Sequence, residues 1–221
     1  MSMLKYAAVA AMIMAGSANA ELVETDWLAD SDGLATLDTN SGLEWLDLTL
    51  TDGMSINQVS LELGDGGQYE GWRLATASEV HDLMRNYFGV EYIEGEGQKT
   101  YSRYASGEQI DDWQYHFGIT GAEGRSMGRY DNGEGQSVMA GTRNSGTTYI
   151  DYSRGTLDND SGYDGVFLVS EGGLTLSSQL DPTLGGLREI NDASDVPAPI
   201  GFAAAGLLLA VAGYRRKGKS S

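Results

Sequence analysis

The sequence predicts an α+β domain in which short helices pack on antiparallel strands joined by long loops. Three observations carry that expectation. Two boxes of the Ser/Thr-x-x-Gln/Glu type, Ser55 to Gln58 and Thr76 to Glu79, each open a run with apolar residues at helical spacing. Two short apolar runs, 34–38 and 43–48, flank Thr39-Asn40-Ser41-Gly42, the layout of a β-hairpin. The chain also has 31 glycines and only 3 prolines, which favours tight turns over long helices.

The elements follow in chain order. Lys5 is the only charge in residues 1–20, residues 6–15 are apolar, and Ser17-Ala18-Asn19-Ala20 has the small-x-small form of a signal-peptidase site. Residues 1–20 therefore read as a signal peptide removed by signal peptidase, with an uncleaved anchor as the alternative. After the hairpin, Ser55 caps a helix expected over 56–63, with Ile56, Val59 and Leu63 on one face and Gly64 closing it. Thr76 and Glu79 open a second helix over 77–88, whose Val80, Leu83, Met84 and Tyr87 form the apolar stripe and whose Gly89 is the C-cap. Its polar face would carry His81, Asp82, Arg85 and Asn86.

Residues 95–135 are polar and glycine-rich, with scattered aromatics, and read as long loops and irregular strands. Residues 136–140 and 147–152 look like strands, and 165–170 like one central, buried strand because its apolar run is nearly continuous. Residues 171–195 lose aromatics and gain Gly, Ser and Asp, the composition of a flexible linker. The exported domain is thus expected over 21–170.

All 32 acidic residues lie between Glu21 and Asp195, against nine basic ones in the same span, a formal charge of −23. Such a surface repels nucleic acid, which needs clustered Lys/Arg. The absence of cysteine excludes disulfides and thiolate metal sites, so the core must hold itself together.

The last segment is an address. Residues 196–214 carry no charge and are just long enough for a membrane-spanning helix, and Arg215, Arg216, Lys217 and Lys219 follow as a cytoplasmic stop. Pro197-Ala198-Pro199, the apolar helix and the basic tail together resemble the PEP-CTERM sorting signal of Gram-negative bacteria. The resemblance implies Pro197, Pro199, Arg215 and Arg216 as the sorting motif, an exosortase-type enzyme as partner, and a final position at the cell surface or outside it. Ala198 stands where that family usually has Glu.

A second resemblance lies in the domain. Ser41-Gly42-Leu43-Glu44-Trp45, the segment from Gly71-Trp72-Arg73-Leu74-Ala75-Thr76 to Val80, and Gly165 to Val169 stand in the order of the Lcl C-terminal type of domain. Ala75 replaces the family's proline. The resemblance implies a C-type-lectin-like fold. The physical roles of its residues read as structural, with Trp45, Trp72, Leu74 and Phe167 in the core and Arg73 either paired with a carboxylate or capping backbone carbonyls near the helix start.

Candidate chemistry is sparse. Asp158, Asp160 and Asp164 alternate around Gly162 like the start of a calcium loop, which makes calcium a candidate cofactor, although the closing bidentate Glu is missing and a solvated acidic turn is the alternative. His81 and His116 are the only histidines, and neither has zinc-site spacing. Tyr101, Tyr104, Trp113, Tyr115 and Tyr130, spaced by small polar residues, could form an exposed aromatic surface for stacking on sugar rings; the alternative is that they pack inward. The expected function is an exported, surface-anchored, non-enzymatic binding or adhesion module for extracellular polysaccharide. The alternatives are a structural matrix component whose acidic surface organises cations and, third, a secreted hydrolase.

Overall fold

The computed structural model describes residues 22–89 and 101–181, apart from the side chains of Tyr101 and Ser102. The signal segment 1–20, the stretch 182–195 and the sorting segment with Pro197, Pro199, Arg215 and Arg216 lie outside the described residues. Among the described residues no helix is long and apolar enough to cross a membrane.

The class is α+β, built on two five-stranded sheets. The first contains β1 (Leu22–Thr25), β2 (Ala35–Asp38), β3 (Leu43–Leu46), β4 (Arg73–Leu74) and β10 (Leu168–Ser170), in the order β1-β2-β3-β10-β4. The second contains β5 (Tyr101–Tyr104), β6 (Ser126–Asp131), β7 (Ser137–Arg143), β8 (Thr147–Gly155) and β9 (Gly165–Val166), in the order β5-β8-β7-β6-β9. Among the described residues all pairings are antiparallel except β6 with β9.

The run expected as one central strand is shared between the sheets. Phe167 is the hinge: its N–H donates to the Arg129 carbonyl on β6, and its own carbonyl accepts from Ala75. On one side, β10 lies centrally between β3 and β4. On the other, β9 forms an edge, where the Thr51 hydroxyl accepts the Val166 N–H at 2.7 Å.

The first sheet is apolar on both faces, which explains the continuous run. Trp45 and Val169 face a core shared with Val80, Leu83, Trp113, Phe117 and Tyr130. Their neighbours Leu46 and Leu168 face the opposite core, with Ile56, Val59, Tyr69 and Trp72. Trp45, Trp72 and Phe167 are buried as expected, and Leu74 is partly buried against the second core.

Helix α1 (Ile56–Ser60) has the expected capping box from Ser55 and Gln58 but stops three residues early. The Ser60 hydroxyl bonds back to the Ile56 carbonyl, and Leu61 N–H turns to Gln58 in a tightened last turn. Helix α2 (Ala77–Phe88) has the expected bounds, with a Thr76–Glu79 box and Gly89 in the left-handed conformation as C-cap. Arg73 grips Glu79 with two nitrogens, at 2.9 and 2.6 Å, and so ties β4 to the start of this helix.

Two expectations are corrected. The stretch read as long loops and irregular strands holds strands β5 and β6 but also, against expectation, helix α3 (Gly107–Phe117); a Ser106–Gln109 capping box opens it and it buries Ile110, Trp113 and Phe117. Residues 171–181, expected in the flexible linker, belong to the folded domain. Helix α4 (Leu176–Leu180) docks on the domain: Leu176 N–H donates to the Trp27 carbonyl, Ser177 Oγ accepts from Asp26, and the Thr175 hydroxyl donates to Glu44 at 2.5 Å.

Candidate functional site

Directly opposed residues of an antiparallel pair share a sheet face, and successive residues alternate. On the core face of the second sheet lie Tyr130, Val138, Ala140 and Ile150. Met127, Arg129, Met139, Gly141 and Arg143 therefore point the other way, with Tyr149 opposite Gly141, Tyr152 opposite Met139, and Tyr104 opposite Thr147 at the edge.

Tyr149 and Tyr152 share this outer face only because β8 is bulged. Three residues of β8 span what two span on β7 between the Gly141–Tyr149 and Met139–Tyr152 pairs. The extra residue, Asp151, has φ 52°, and the next bulge has Ser153 at the same φ. Such left-handed values cost a non-glycine residue about 1–3 kcal/mol and must be held by their surroundings.

The holding group is a buried polar cluster. Tyr130 Oη donates to Asp151 Oδ1 at 2.6 Å and accepts the Asp151 N–H at 3.1 Å, while His81 Nε2 lies 3.2 Å from the same carboxylate oxygen. Burial pushes the Asp151 carboxyl up, but the bonds to His81 and Tyr130 outweigh it and hold it below its usual range. His81, expected on the solvent side of α2, is thus buried, because the second sheet covers that flank.

With the bulge fixed, Tyr149 and Tyr152 lie 4.6 Å apart, and the Arg143 guanidinium stands 5.3 and 5.1 Å from their ring centres. Beside them opens a cleft of about 290 Å³, lined by Glu123, Arg125, Arg143, Asn144, Ser145 and Tyr149 together with Ala122. Its far wall is a tight turn in which Glu123 has φ 62°. Gln114 of α3 pins that turn, donating to the Gly124 carbonyl at 2.6 Å and to Asn144 Oδ1 at 3.2 Å.

The cations around the cleft are unequally matched. Arg125 and Arg129 share the carboxylate of Asp164, Arg129 at 3.0 Å. Elsewhere Arg73 and Arg85 pair with carboxylates, and Arg103 donates to the carbonyls of Phe88 and Gly89. Among the described residues Arg143 has no carboxylate partner, and its Nε is buried without a hydrogen bond.

The structure separates the expected aromatic surface. Trp113 is 0% and Tyr130 2% exposed; both belong to the core, Trp113 on the α3 stripe and Tyr130 on the inner face of β6. Tyr115 is 62% exposed on α3, where a hydrogen bond to Glu24 raises its pKa. Tyr104 is 77% exposed and shares the outer face with the Arg143 cleft, and Tyr101 stands at the start of the same strand. The calcium set also comes apart. Asp164 is fully buried between two guanidiniums, Asp158 accepts from Asn57 Nδ2 at 2.6 Å, and Asp160 is exposed. Among the described residues no group of three or more His, Asp or Glu side chains is placed to hold a metal ion. Sequence reasoning missed Arg143, Asn144, Tyr149 and Tyr152: the β7–β8 hairpin brings the first three together, and only the bulge adds Tyr152.

No protein-family model, curated protein or solved structure matches this chain.

Proposed function

We propose that this protein is an exported, surface-anchored binding module for extracellular polysaccharide, without catalytic chemistry of its own. The observation that carries the reading is the outer-face cleft, where an arginine without a carboxylate partner among the described residues, the Tyr149 ring, an amide and a hydroxyl converge on a space of about 290 Å³, with Tyr152 bracing the arginine from beside it. That volume lies at the low end of small-ligand sites and suits one sugar ring of a longer chain. Tyrosine supplies an apolar wall, and the amide, hydroxyl and Glu123 carboxylate suit ring hydroxyls.

The binding reading is favoured over a hydrolase by where the acid–base groups lie. His81, Asp151 and Tyr130 are buried and bonded to one another, so the cluster suits a scaffold better than a proton shuttle to substrate. The order of the Trp72-Arg73 segment supports a C-type-lectin-like assignment, and the tail pattern supports PEP-CTERM sorting to the cell surface. The test is a glycan array probed with the full-length protein in detergent. Retention on at least one polysaccharide, lost in Tyr149→Ala, is expected; no retention on any glycan overturns the proposal.

A further inference from the structure

We infer that the sugar taken by this cleft is an acidic one, a uronate whose carboxylate is received by the guanidinium of Arg143. The inference rests on the carbohydrate-binding reading above and narrows it to a ligand class.

Charge balance is the first argument. The sequence is strongly acidic, with a formal charge of −18, so a cation in its folded domain has carboxylates to spare as partners. Of the seven described arginines, five are engaged by carboxylates or carbonyls, and of the other two, Arg143 and Arg154, only Arg143 lines the cleft. Arg143 is instead held by two aromatic rings, which fix its position, and no carboxylate among the described residues compensates its charge. Arg125 and Arg129 share one carboxylate behind it. With Glu123 on the opposite wall, the charged side chains lining and backing the cleft sum to one positive charge. The cleft is therefore a cationic spot on an acidic chain, and an anion completes it.

Geometry supplies the second argument. A planar guanidinium presents parallel N–H donors that match a planar carboxylate. Here the plane is braced by Tyr149 and Tyr152, while Arg125 Nε and Arg143 Nε are both buried without a hydrogen bond. Asn144, Ser145 and Glu123 line the same cleft, where they can meet the hydroxyls of the ring that bears the carboxylate. An acidic peptide would have no use for that polar rim, and Glu123 would repel its further charges.

The test is calorimetric titration of the full-length protein in detergent with three probes: tetragalacturonate, its methyl ester and polyglutamate. The expected result is binding of the uronate at least tenfold tighter than of its ester, weakening with added salt, and no binding of polyglutamate. Arg143→Gln should weaken uronate binding by about ten- to a hundredfold, the range for a hydrogen bond to a charged group, and should abolish the preference over the ester. Arg143→Lys, with unchanged thermal unfolding as the control for folding, should recover only part of the loss. Equal binding of ester and uronate would overturn the acidic assignment while leaving the carbohydrate reading intact. Equal binding of polyglutamate would overturn the assignment to a sugar at this cleft. Failure of all three probes together with an empty glycan array would remove both proposals.

Discussion

Tyr130→Phe removes a single oxygen from the interior, and the structure assigns that oxygen two tasks. It donates to Asp151 Oδ1 at 2.6 Å and accepts the Asp151 N–H at 3.1 Å, in a cluster where Tyr130 is 2% and Asp151 3% exposed. A hydrogen bond to a charged group contributes about 1.5–3 kcal/mol, and depriving a buried N–H of its acceptor costs about 1–3 kcal/mol. The two effects overlap at one residue, so a net loss of about 2–4 kcal/mol is expected. For a domain of this size that is a fall in Tm of about 5–15 °C, measured by calorimetry on the full-length protein. The pH dependence gives a second readout. The folded Asp151 carboxyl is held below its usual range, so its stabilisation is present above the ordinary carboxylate pKa and is lost as pH falls through the depressed folded value. The gap between wild type and variant should therefore narrow as pH falls below the ordinary carboxylate range and through the depressed folded value. At Asp32 and Glu79 burial is likewise outweighed, by backbone amides and mainly by Arg73 respectively, but these groups act equally in both proteins and cancel in the difference. A Tm within about 2 °C of wild type, with a gap that does not change with pH, would refute the claim that this cluster holds the bulge.

Asp164→Asn should cost about 3–5 kcal/mol, because it leaves the Arg125 and Arg129 guanidiniums sharing a neutral acceptor in a buried site. The midpoint and slope of urea unfolding measure this, and a loss below about 1 kcal/mol would show that the pair is solvated in solution. Gly141→Ala should cost about 2 kcal/mol or more, since φ is +134° and a Cβ would run into the Ser126 carbonyl across the β6–β7 pair. Hydrogen exchange at Met127 reads it out; unchanged protection there would mean that the pair absorbs the methyl without opening.

How much of this was legible in the sequence depended on whether the signals were local. Helix α2 was legible to the residue because box, stripe and glycine cap all agree over the fourteen positions from Thr76 to Gly89. Helix α3 carries the same kind of box, Ser106 to Gln109, and the stripe Ile110, Trp113, Phe117. Gly107 in its first turn and the glycine-rich flanks obscured it, and with it the reason Trp113 is core. Tyr130 could not be placed without the parity of β6. Asp164 looked like a cation ligand because its guanidinium partners belong to β6 and the turn before it, far away in sequence. The site itself was the least legible. Residues three apart in a regular strand point to opposite faces, so Tyr149 and Tyr152 could be paired only by knowing of a bulge. The bulge residues, Asp151 and Ser153, are not glycines and announce nothing.

The same bulge explains why a buried polar cluster belongs in this fold. A well-packed apolar interior would be expected to accept a hydrophobic replacement for His81, Tyr130 and Asp151 at little cost. Such a replacement would leave nothing to hold position 151 in a left-handed conformation, because it removes the hydroxyl that grips the N–H of residue 151 and the carboxylate that anchors it. A regular strand would rotate one tyrosine of the pair toward the core and leave Arg143 with one ring instead of two. The strain at Asp151, the paired bonds from Tyr130 and the braced guanidinium on the opposite face are consequently one device. Its inner half lies between α2 and the second sheet, and its outer half forms the wall of the cleft.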